Sequence, residues 1–83
     1  MDYKVIGANG VVEEKQGTIS LREAQKVVGG YVEVIRAQGG FLLVDEEARM
    51  KGRVDVNDAA SRLVGQMIIG NAIFLKKMGT LKG

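Results

Sequence analysis

Residues 27–53 read VVGGYVEVIRAQGGFLLVDEEARMKGR, with two glycine pairs around one strand-like run, then a second apolar run, an acidic turn and a basic cluster. YVEVIRA and FLLVD are rich in β-branched and aromatic residues, and AQGG between them supplies turn freedom at Gly39-Gly40, so the stretch predicts a β-hairpin. In its first strand Tyr31, Glu33 and Ile35 share one face, and Val32, Val34 and Arg36 share the other. Neither face is wholly apolar. Such a strand is expected to be covered only partly on each side, or to lie in an interface where Glu33 and Arg36 find partners.

Working outward toward the N-terminus, TISLREAQKVVGG predicts a short helix. Ser20 and Glu23 have the spacing of a capping box, Leu21, Ala24, Val27 and Val28 fall on one face, and Gly29 ends the helix in a left-handed cap. Before it, YKVIGANGVVEEK predicts a hairpin with a tight two-residue turn at Asn9-Gly10 and a bulge at Gly7. On the C-terminal side, Asn57 caps a second helix through DAASRLV that stops at Gly65, with Ala59, Ala60, Leu63 and Val64 facing the core. QMIIGNAIFLKK then gives one strand bent at Gly70 or two short strands turning at Gly70-Asn71, and residues 78–83 are expected to fray. The order is β-β-α-β-β-α-β. It predicts a single α+β domain over residues 1–83, with a mainly antiparallel sheet and both helices on one face.

Composition narrows the chemistry. A chain of 83 residues has a marginal core, and with no histidine and no cysteine it lacks the usual means of supplementing one with a metal or a disulfide. Association with further copies is the remaining supplement, so a homo-oligomer is expected. The same absences remove the common zinc ligands, the thiol nucleophile and the commonest general base, and neither an enzyme nor a bound cofactor or metal is expected, with carboxylate sites for Mg²⁺ or Ca²⁺ left open. Net charge is only +2, which argues against a nucleic-acid partner, and the four aromatic residues are too scattered for a base-stacking platform. MIIGNAIFL is far too short to span a bilayer and the N-terminus has no secretory pattern, so the expectation is cytoplasmic residence without a membrane partner.

Several clusters could still carry binding. The glycine pairs fit neither a dinucleotide fingerprint nor a P-loop, because Gly29-Gly30 closes a helix instead of opening one. Asp45, Glu46 and Glu47 lack the register of a calcium loop and read as a solvated turn. Lys51-Gly52-Arg53 shortly before a helix start at Asn57 has the parts of an anion site, although Asp55 and Asp58 oppose it and balancing nearby acids is the plainer role. Arg36 could take a planar carboxylate or phosphate, or sit exposed at a rim. The candidate phosphate contacts are therefore Arg36, Lys51, Arg53 and Asn57, with Tyr31 and Phe41 as candidate stacking surfaces.

Val28, Gly29, Gly30, Tyr31 and Glu33, then Asp45, Glu46, Glu47, Lys51 and Gly52, then Asn57 and Ala60, and finally Ile69, Gly70 and Asn71 stand in a recognisable order. The pattern resembles a family of small uncharacterised proteins frequent in bacteriophages and other bacterial mobile elements: V-G-G-Y-I-E, D/N-E-E-G-x-x-K-G, a following Asn with Ala shortly after, and a late I-x-G-[ND]. Ala48 replaces the usual glycine and Val56 a frequent proline, and the hairpin over residues 1–17 lies outside the resemblance. The resemblance implies a phage or mobile-element setting and no reaction. The expected function is a homo-oligomeric binding protein of the host-cell cytoplasm that sequesters a nucleotide signal or otherwise counters host defence. An inhibitor that adds a strand to a host protein is the alternative, followed by a DNA-binding regulator.

Overall fold

A computed structural model describes residues 1–83. The chain forms β1 (Tyr3–Ile6), β2 (Val12–Lys15), a two-residue β3 (Ile19–Ser20), α1 (Leu21–Val28), β4 (Val32–Ala37), β5 (Gly40–Asp45), α2 (Asp58–Val64), β6 (Ala72–Leu75), a 3-10 turn (Met78–Thr80) and β7 (Leu81–Lys82). Five strands make an antiparallel sheet in the order β2-β1-β6-β5-β4, and β3 pairs with β7 in parallel beside it. This is the α+β class expected.

Both helix starts follow the local rules. Ser20 Oγ accepts from the Glu23 amide at 3.0 Å while the Glu23 carboxylate accepts from the Ser20 amide at 3.4 Å, closing the capping box, and Gly29 ends α1 at φ 92°. Asn57 caps α2 through the Ala60 amide at 3.1 Å, and Gly65 ends it at φ 69°. The central hairpin is joined by Gln38-Gly39, with Ala37 opposite Gly40 and an unbroken register back to Val32 opposite Asp45.

The helices lie on opposite faces of the sheet, not on one. Leu42, Val44, Ala72 and Phe74 pack with Ala60, Leu63 and Val64 of α2, whereas Leu43, Ile73 and Leu75 pack with Ala24 and Val28 of α1. Alternate residues of β5 and β6 therefore enter two different cores, which is why these central strands are apolar without interruption. Leu21, expected on the core face of α1, is exposed at the helix start.

Two further expectations need correction. The N-terminal turn is longer than two residues: the Gly7 amide donates to Val11 O, the Gly10 amide to Gly7 O, and Ile6 pairs with Val12. Gly10 has φ 90° but no non-glycine residue has positive φ, so Asn9 cannot hold the first left-handed position of a type I′ turn. Ala8-Asn9-Gly10 instead makes the three-residue loop in which one left-handed glycine suffices. The C-terminal segment does not fray either, because Met78 and Leu81 pack on the α1-side core and β7 pairs with β3.

Candidate functional site

The acidic turn and the basic cluster after β5 fold back on the end of α1. Asp45 is the last residue of β5 and its side chain is fully buried. Its carboxylate lies 3.0 Å from Lys51 Nζ and 3.5 Å from an Arg53 guanidinium nitrogen, and it accepts from the Glu47 amide at 2.9 Å. Burial pushes the carboxyl up, but the Glu47 amide, Lys51 and Arg53 together hold it below the usual carboxylate range. Arg53 also grips Asp55 at 2.8 Å, which raises the guanidinium and lowers the Asp55 carboxyl.

The same side chains cap α1. Lys51 Nζ donates to Gly29 O at 2.8 Å, Arg53 to Val28 O at 3.1 Å and Asn71 Nδ2 to Val27 O at 3.3 Å. Three otherwise open carbonyls at the negative pole of the helix thus receive three donors, two of them cationic. Gly30 makes room for this junction, since a Cβ there would lie 2.5 Å from Lys51 Nζ and 2.6 Å from Asp45 Oδ1.

Gly70 serves the junction in two ways: its φ is +86°, and a Cβ would lie 2.6–2.9 Å from the Arg53 guanidinium. Gly65 has a similar φ of +69° with open space around it. Gly65→Ala is therefore expected to cost about 1 kcal/mol from the left-handed backbone alone, and Gly70→Ala roughly 1 kcal/mol more from displacing Arg53. Urea denaturation of the two variants checks this, and in an Arg53→Ala background the difference should vanish.

Asn57 is 1% exposed, with its amide nitrogen donating to Ile6 O and Gly70 O, both at 2.9 Å, while its oxygen caps α2. It is a core fastener with no face for a ligand. Arg36 is exposed, 5.7 Å above the Phe41 ring at the turn end of the hairpin. The strand register sets this pair four residues from Asp45, or roughly 13 Å along β4. Tyr31 is exposed just before the far end of β4. The six residues singled out in the sequence are thus not brought together: Lys51, Arg53 and Asn57 are bonded inside the fold, and Arg36 with Phe41 stands apart from Tyr31.

What the structure leaves open is the β4 edge. This strand pairs with β5 alone. Tyr31 O accepts from the Glu46 amide at 2.9 Å, and in an antiparallel ladder the bonded pairs alternate, so Glu33, Ile35 and Ala37 also face β5. Val32, Val34 and Arg36 consequently turn their backbone N–H and C=O groups outward. On the α2 side of this edge a groove of about 190 Å³ is lined by Glu33 and Ile35 of β4, Glu46 and Arg49 of the following turn, and Met50 and Met67. Arg49 donates to Met67 O at 3.2 Å, which joins the two loops that wall the groove. The mixed faces of YVEVIRA signalled an uncovered strand; nothing local to residues 46–50 or 66–69 signalled that they would meet.

No helix is long and apolar enough to cross a membrane. A family model described as a domain of unknown function, DUF3846, matches residues 5–81, taking in most of the N-terminal hairpin that the motif resemblance left out. No curated protein and no solved structure matches the chain.

Proposed function

The chain belongs to the DUF3846 family of domains of unknown function, and from that premise we propose that it is a non-catalytic binding protein whose target is a polypeptide that adds a strand along β4. The supporting observation is the contrast between the two sheet edges. β2 is four residues long and carries Glu13, Glu14 and Lys15, charges that discourage pairing. β4 is six residues long, unbulged, free of proline and lysine, charged at only two of its six positions (Glu33 and Arg36) against three of four in β2, and bordered by a groove. Main-chain bonds along such an edge supply affinity, and side-chain pockets beside it supply selectivity.

The motif resemblance favours a phage or mobile-element setting, in which the target would be a host protein, one of the defence machinery among them. Sequestration of a nucleotide has less support, because Lys51 and Arg53 are bonded to Asp45 and to α1 and Asn57 has no free polar atom. A homo-oligomer joined β4 to β4 would use the same edge.

Val34→Pro removes one outward N–H without touching the β5 ladder, a position where an edge strand tolerates proline. The expected result is that wild-type protein retains a polypeptide from bacterial host lysate and that Val34→Pro loses it at least about tenfold, while its circular dichroism is unchanged. Equal retention by both proteins overturns the reading. So does a small molecule released on denaturation, or a dimer broken by Val34→Pro that holds no other polypeptide.

A further inference from the structure

We infer that the groove beside β4 selects the side chains of the added strand, favouring an apolar residue followed two positions later by lysine or arginine. This rests on strand addition at β4 as proposed above and assigns the chemistry of the partner. Glu33 and Ile35 line the groove and lie on the strand that would receive the partner. Because both bond inward to β5, each would form a non-hydrogen-bonded pair with an antiparallel newcomer, the class in which opposed side chains come closest. The partner residue opposite Ile35 would enter the groove beside Met50 and Met67, which are 84% and 51% exposed and whose unbranched side chains can settle around varied apolar shapes.

An antiparallel partner runs against β4, so the residue opposite Glu33 follows the one opposite Ile35 by two. It meets the Glu33 carboxylate, and Glu46 lines the same groove. Arg49 is the cation that lines this groove, and it is held to the Met67 carbonyl. Asp45 adds no charge here, since its carboxylate is turned to Lys51 and Arg53 at the α1 end. Two exposed carboxylates against one guanidinium leave the rim net acidic, which favours a basic side chain and repels an acidic one.

The test titrates the full-length, isotope-labelled protein with two blocked heptapeptides that differ only in their core, Leu-Thr-Lys or Leu-Thr-Glu, and follows backbone amide shifts. The lysine peptide is expected to bind about tenfold more tightly and to move the amides of Val32, Val34 and Arg36. Glu33→Gln with Glu46→Gln, both exposed positions, should bring the two peptides to within about twofold. Equal affinity for both peptides, with the β4 amides still moving, overturns the selectivity and leaves strand addition standing. A lysine preference that survives N-methylation of the peptide backbone and moves no β4 amide overturns strand addition but keeps the acidic groove. Absence of binding by either peptide overturns both.

Discussion

Asn57→Ala is expected to lower the unfolding free energy by about 3–5 kcal/mol, a large share of the roughly 4–12 kcal/mol that a domain of this size possesses. Three losses combine. The Ala60 amide loses its cap, which alone costs about 0.5–2 kcal/mol. The carbonyls of Ile6 and Gly70, bonded to the Asn57 amide at 2.9 Å, lose buried donors. A cavity also opens at a side chain that is 1% exposed. Asn57→Asp separates these contributions, because it keeps the acceptor that caps α2 and discards both donors. It should be at least as destabilising as alanine at neutral pH, since it also buries a charge, and should recover in acid when the carboxyl becomes a donor. Urea midpoints for both variants at pH 7 and about pH 4 decide the matter. An Asn57→Asp protein nearly as stable as wild type at pH 7 would mean that the cap, not the tie from β1 to the Gly70 turn, is what Asn57 provides.

That residue shows what a sequence can and cannot disclose. Its capping role was legible because N-cap chemistry is local, with the partner amide three residues away. Its two donor bonds reach 51 and 13 residues back and forward along the chain, and no spacing rule announces them. The same division runs through the fold. The α1 capping box, the Asn57 cap, the left-handed glycine caps and the central hairpin depend on neighbours and were readable, although the hairpin turns at Gln38-Gly39, with Gly40 already paired to Ala37, and not at Gly39-Gly40. β3 and β7 are two residues each and pair across the whole chain, leaving no periodic signal. One miss had its sign in view: FLLV and AIFL are continuous apolar runs, and a strand apolar on both faces needs cover on both, which already opposed placing the two helices together.

The candidate site divides similarly. Lys51-Gly52-Arg53 before a helix start resembles an anion cradle as long as only neighbours along the chain are considered. The acid that occupies these cations is Asp45, and the carbonyls they cap belong to a helix more than twenty residues earlier. Several of the residues that carry the motif resemblance, namely Gly29, Gly30, Asp45, Lys51, Gly70 and Asn71, meet at this junction. These residues hold the fold together, while Glu33, Glu46 and Ile69, which also carry the motif resemblance, line the groove beside the uncovered edge of β4.

The junction makes the protein's stability depend on Asp45 and on acid. Asp45→Ala is expected to cost about 2–4 kcal/mol at pH 7. Breaking a wholly buried pair would reach the upper end or beyond, but the Lys51 and Arg53 side chains keep 38% and 28% of their exposure, so water compensates in part for the missing carboxylate. A carboxyl whose folded-state value lies below its unfolded value of about 3.9 binds its proton more readily in the unfolded chain. Its stabilisation is complete above that unfolded value and disappears as pH falls through the folded one. Asp55, lowered by Arg53, acts in the same direction. The wild-type urea midpoint should therefore decline steeply from about pH 5 to about pH 2, and Asp45→Asn, which starts lower at neutral pH, should follow a shallower course and meet wild type in acid. Parallel curves for the two proteins would show that the Asp45 charge contributes nothing to folding. Lys51 would then be held only by the Gly29 carbonyl, and Arg53 by the Val28 carbonyl and the exposed Asp55, weakly enough to be recruited by an anion, and the nucleotide reading would regain these two cations.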